Sequence, residues 1–127
     1  MKNILIAILC LTAFSSYAQT EIKVDEAKNH VGENVKICTK IYGGIFLQKD
    51  TLTLLNAGAY YPDAPLTIVI RAEARKEFKN DPVEYYKGAE VCVTGKIELF
   101  KDKPQIVITN KDQIVEQLKD HTDTEPK

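Results

Sequence analysis

The sequence predicts a mainly β domain with short helices: a five-stranded Greek-key barrel of the OB type, with a helix between the third and fourth strands. Three observations carry that expectation. Two stretches of the chain repeat at an offset of 56 positions, and each ends in strict apolar alternation. Three further β-prone runs stand at residues 51–56, 66–70 and 105–109. A polar, alanine-bearing stretch, residues 71–78, separates the third run from the fourth, as a crossover helix would. The alternative, a β-sandwich, would need about seven strands.

The repeat justifies the two longest strands. Its first copy opens at Asp25 and passes Gly32 to reach Val35, Ile37, Thr39 and Ile41. Its second opens at Asp81 and passes Gly88 to reach Val91, Val93, Gly95, Ile97 and Leu99. In each copy an Asp suits a helix N-cap, and the Gly seven residues later suits a left-handed C-terminal position. Pro82, directly after Asp81, fits the first helical position. Two copies are too few for a solenoid, which needs three or more. The paired glycines Gly43-Gly44 read as a bend at the end of the first strand. Lys101 to Pro104 read as the turn into the fifth strand. A last short helix is expected over residues 111–118, capped by Asn110, with Ile114, Val115 and Leu118 facing inward.

The N-terminus has the composition of a removable secretory leader. Lys2 provides the positive start, residues 4–14 are apolar, and Ser16-Tyr17-Ala18 offers small residues to a peptidase. An apolar run of 11 residues is shorter than the ~20 needed to span a bilayer, so no membrane span is expected. Leu9 before Cys10 does not suit a lipoprotein signal. The expected division is a signal peptide over 1–18, the barrel domain over 19–118 and a disordered polar tail over 119–127, with periplasmic or secreted localisation. Of 17 basic and 18 acidic residues, cleavage removes only Lys2, leaving 16 against 18. A nucleic-acid binder usually carries a basic excess, and this domain has only local clusters.

A resemblance supports the same fold. The stretches Glu26-Ala27-Lys28, His30 to Glu33, Leu55-Asn56, Tyr61-Pro62, Pro65 to Ile70, Tyr86-Lys87-Gly88, Val91 to Glu98 and Pro104 to Val107 resemble exported bacterial OB-fold proteins. The likeness covers roughly residues 24–115 and implies a nucleic-acid-binding-like OB domain, a label that rests on fold. Thr39 replaces the Gly that usually follows the cysteine in that family.

Loss of the leader takes Cys10 with it and leaves Cys38 and Cys92. They fall on the first and fourth strands, neighbours in an OB barrel, and both point away from the core-facing residues. If they lie opposite one another, Val35 faces Gly95 and Ile37 faces Val93, so both core faces match. A cross-strand disulfide is expected; the alternative is two thiols packed as small hydrophobes. No metal site is expected, because the only histidines are His30 and His121 and no CxxC occurs.

An OB barrel binds on the face of its second and third strands, between the first and the last hairpin loops. Tyr42, Phe46 and Lys49 are placed in or beside the first of these loops, and Phe100, Lys101 and Lys103 in the other. Aromatics interleaved with lysines suit a single strand of nucleic acid, with rings to stack bases and cations to track phosphates. The alternative is that Tyr42 and Phe100 cover barrel ends and the lysines solubilise turns. That alternative is favoured by the missing basic excess and by the only arginines, Arg71 and Arg75, lying in the crossover. Tyr60 and Tyr61 are expected to pack a turn, the alternative being that they extend a ligand surface; Tyr85 and Tyr86 are expected to pack a helix on the barrel, and His30 to act as a local cap. No nucleophile elbow or phosphate-cradling glycine loop occurs, so neither catalysis nor a cofactor is expected. Two partner classes follow: single-stranded nucleic acid, or an envelope protein or oligosaccharide on the same surface.

Overall fold

The computed structural model describes residues 19–117; the expected leader, the tail and Leu118 lie outside the described residues. Among the described residues seven strands form: β1 (Thr20–Ile22), β2 (Asn34–Leu47), β3 (Leu52–Ala57), β4 (Leu66–Ile70), β5 (Glu90–Phe100), β6 (Lys103–Ile108) and β7 (Ile114–Glu116). The helices are short: α1 (Ala72–Arg75), α2 (Pro82–Tyr86), and 3-10 turns at Val24–Asn29 and Lys111–Gln113. Five strands close a ring. β2 pairs antiparallel with β3, β3 with β4, β4 runs parallel to β6, β6 pairs antiparallel with β5, and β5 returns to β2. This is the OB barrel, with α1 and α2 in the connection between its third and fourth strands.

Closure depends on β2 and β5, each of which pairs with two strands of the ring. Residues 34–40 of β2 pair with β5, whereas Ile41 onward pairs with β3. The register shifts between Ile41 and Gly43, a bulge at the expected glycine bend. In β5, residues 90–96 face β2 and residues 97–100 face β6. At that handover sits Gly95, where a Cβ would lie 2.6 Å from Ile106 Cγ2. A side chain there would force β5 and β6 apart.

The expected pairing holds residue for residue: Val35 faces Gly95, Ile37 faces Val93 and Cys38 faces Cys92. Cys38 and Cys92 are joined as a disulfide. The repeat also has a spatial meaning. Shifting each β2 residue by 56 positions, and each β5 residue back by 56, maps the ladder onto itself with Ile37 and Val93 on the axis. The flanking bonds obey the same operation. Gly32 N–H donates to the Ile97 carbonyl at 2.8 Å, and Gly88 N–H donates to the Ile41 carbonyl at 2.8 Å. Gly32 and Gly88 have φ of 87° and 81°, the left-handed conformation expected of them.

Fully buried residues fill the ring from every strand: Val35, Ile37 and Ile41 from β2, Leu55 from β3, Ile68 and Ile70 from β4. Val91, Val93 and Ile97 come from β5, and Ile106 and Ile108 from β6. Asp81 caps α2 as expected, its carboxylate accepting from Val83 N–H at 3.0 Å. Tyr86 is buried beside the barrel, and that burial pushes its phenol up to about 12.

Three local expectations are corrected. The first N-cap is Lys23, without a side-chain bond, and Asp25 lies inside a 3-10 turn. The crossover helix over 71–78 shrinks to the four residues of α1. The last helix is replaced: Asn110 does cap, but only one 3-10 turn follows before β7. Residues 91–93 of β5 already pair with β2 on one side, and β7 satisfies the other side. Two β-branched residues, Ile114 and Val115, suit that edge better than a helix. β1 does the same for β2, running parallel to residues 35–37.

Two outcomes follow. Gly95→Ala should cost about 1–3 kcal/mol by overpacking against Ile106, read from the urea midpoint. Replacing both Cys38 and Cys92 by Ser should cost about 2–4 kcal/mol and lower Tm by on the order of 10–20 °C, read by circular dichroism.

Candidate ligand groove

Alternation along three neighbouring strands builds a groove on the outer face of the barrel. Leu55, Ile68 and Ile106 lie in register and point inward; their outward neighbours Leu54, Val69 and Val107 also lie in register. They form an apolar row across β3, β4 and β6, followed by a polar row containing Thr67 and Gln105. The cavity above these rows measures about 700 Å³. Leu47, Asp50, Arg71 and Glu73 line one end, and Tyr61, Phe100, Lys101 and Lys103 line the other.

The second end is aromatic and cationic. Phe100 is 59% exposed and Tyr61 76% exposed. Lys101 Nζ lies 5.4 Å from the Phe100 ring centre and Lys103 Nζ lies 5.8 Å from that of Tyr61. Phe100 and Lys103 face each other across a two-residue hairpin, residues 101–102, in which both residues have positive φ, 50° and 66°. That is the primed turn whose twist matches the strands. Thr51 also has positive φ, 50°, in the turn between β2 and β3. Among the described residues, the non-glycine residues in this conformation all lie in the two hairpin turns that flank the groove. Strained backbone of this kind gathers at functional sites.

Of the six residues expected to form the site, the structure brings Phe100, Lys101 and Lys103 to the groove. Phe100 therefore does not cover the barrel end. Tyr42, Phe46 and Lys49 are not among its lining. Tyr42 and Phe46 belong to β2, which runs on to Leu47, so neither lies in a loop. Phe46 faces Thr53 inside the barrel end and carries Arg75 at 4.0 Å over its ring. Tyr42 packs edge-on against Tyr60 at 4.9 Å, with Lys40 Nζ 5.2 Å from its ring. Lys49 sits in the turn whose neighbour Asp50 lines the groove.

Three contributors stand outside the six expected site residues. Arg71 does belong to the crossover, directly after β4 as the N-cap of α1, and from there it lines the groove wall. Tyr61 follows the alternative given for it and not the turn packing: it projects into solvent at the groove, and Tyr60 is 68% exposed. The apolar row was hidden because Leu54, Val69 and Val107 fall in β-prone runs that show no face of their own. Strand register was the signal that separates them, since each neighbours an inward residue. His30 caps its 3-10 turn as expected, with Nδ1 3.1 Å from Glu33 Oε1. Among the described residues no group of three His, Cys, Asp or Glu side chains gathers as a metal site.

No family model and no curated protein matches the chain. Solved structures do. One assigned as an aspartyl-tRNA synthetase of Leishmania major Friedlin aligns at TM-score 0.53 and 12% identity, covering 84% of this chain and 22% of that one. The asparaginyl-tRNA synthetase of Pyrococcus horikoshii aligns at 0.50 and 11%, covering 75% and 22%. An OBody, AM1L10, bound to hen egg-white lysozyme aligns at 0.58 and 14%, covering 83% of this chain and all of that one. The chain spans about a fifth of either synthetase. At these identities the likeness is one of fold, and the fold is the OB barrel.

Thr51→Gly should raise stability by about 0.5–1 kcal/mol, because relief of a β-branched residue at positive φ exceeds the added freedom of the unfolded chain. The urea midpoint should rise at unchanged slope.

Proposed function

We propose that this protein is an exported, non-catalytic OB-fold binding module that holds a short single-stranded nucleic-acid segment in the groove. The observation that carries the reading is the pairing of Phe100 with Lys101 and of Tyr61 with Lys103 at one end. Exposed rings stack bases of any identity, and ammonium groups beside them meet the phosphates. Arg71 offers a third cation at the far end. The shared fold with two tRNA synthetases agrees with this class of ligand. Export rests on the leader-like residues 1–18, on the resemblance to exported bacterial OB-fold proteins and on the disulfide, which persists in oxidising compartments.

A second reading, an envelope protein or oligosaccharide on the same face, has its own support. The row Leu54–Val69–Val107 gives the groove an apolar floor, Asp50 and Glu73 temper its charge, and an OBody of this fold is bound to a protein, lysozyme.

Salt separates the two. Fluorescence titration with a labelled oligothymidylate should give a log–log salt slope of about −2, from three cations on a single strand. Phe100→Ala should weaken binding about tenfold or more through loss of one stack. Absence of submillimolar binding at low salt would leave the protein or oligosaccharide reading.

A further inference from the structure

A second aromatic–lysine step stands just beyond the groove, on residues the groove itself does not use. The loop between β3 and β4 carries Tyr60 and Tyr61 in succession, 68% and 76% exposed. Tyr61 faces the groove beside Lys103, while Tyr60 turns to the other side and meets the edge of Tyr42. Lys40 lies over the Tyr42 ring at 5.2 Å. Lysine–ring pairs therefore follow one another from the β5–β6 hairpin, across this loop, to β2. Exposed tyrosine rings in consecutive positions bury little of their own surface, so the folded chain gains little by holding them there. A stacking ligand would recover that surface.

The size of the groove points the same way. From Val107 to Lys103, β6 advances about 13 Å at strand rise. Even at the ~3.4 Å per nucleotide of a stacked strand, that length takes at most about four nucleotides. OB domains engage roughly 4–16. A longer strand must leave the groove, and the β5–β6 end is where cations and rings continue.

We infer that a bound single strand leaves the groove over Tyr61 and continues onto a second step formed by Tyr60, Tyr42 and Lys40. The inference rests on the nucleic-acid reading of the groove. In it Tyr60 stacks the first base outside the groove, Tyr42 braces that ring from its edge, and Lys40 meets the phosphate that follows.

The test compares four-residue and twelve-residue oligothymidylates with wild type, Tyr60→Ala, Lys40→Ala and Phe100→Ala, with unchanged Tm as the control for folding. Extra registers raise the apparent affinity of the longer oligomer, so variants are compared at one length. Tyr60→Ala and Lys40→Ala should leave the short oligomer within about twofold and weaken the long one about fivefold or more, as loss of one stack or one phosphate contact does. Lys40→Ala should also reduce the salt slope for the long oligomer by about 0.7, which a merely structural role would not do. Phe100→Ala should weaken both lengths. If neither Tyr60→Ala nor Lys40→Ala affects the long oligomer while Phe100→Ala weakens both, the second step is wrong and the groove reading stands. Binding of neither length at low salt overturns the groove reading, and the second step with it.

Discussion

Where β2 meets β5, seven consecutive residue pairs run antiparallel without a break, and a disulfide ties one of those pairs. Every other part of the barrel is set from this ladder. Each strand has an inward row fixed by the pairing, and each continues past the ladder to a second partner. β2 bends at its bulge to reach β3, and β5 turns at Gly95 to reach β6. β4 then closes the ring by lying between β3 and β6. A slip of one residue would set Val35 and Ile37 on the opposite face from Val91 and Val93, so the register has one apolar solution.

The self-mapping of this ladder accounts for what the amino-acid pattern revealed and what it hid. The helix–Gly–strand unit occurs twice, and its two copies meet head to tail about an axis at Ile37 and Val93. Alternation in each copy was enough to place the strands, the cysteine pair and the barrel class. Shorter pieces were harder to read. The β7 segment has the spacing of a helix turn, but open hydrogen-bonding groups on β5 claim it for the sheet. β1 is three residues long and has no pattern of its own; only the free side of β2 calls it into being. Such edges are fixed by backbone satisfaction, which leaves no mark on side-chain periodicity.

The groove was half legible for a related reason. Phe100, Lys101 and Lys103 were found because a hairpin turn exposes whatever it carries. Tyr42 stands further from the hairpin turn than expected because β2 runs through its glycines instead of ending there, whereas Phe46 is beside that turn but not in the groove lining. Phe46 then faces into the barrel end under Arg75, where it has a packing role. Leu54, Val69 and Val107 lie in β-prone runs too short or too evenly apolar for alternation to show which residues face outward. Tyr60 and Tyr61 lacked any pattern that would show them projecting, since loop residues follow no period.

Groove and interior share three strands but no side chains. On β3, β4 and β6 each residue belongs either to the sealed interior or to the outer lining, and the two sets interleave. The disulfide lies elsewhere, on the β2–β5 side of the ring. Exchanges at Leu54, Thr67, Gln105 or Phe100 therefore change the outer lining without touching the residues that fill the interior. A lineage or a library can rewrite the outer alphabet of this barrel while its inner text stays constant.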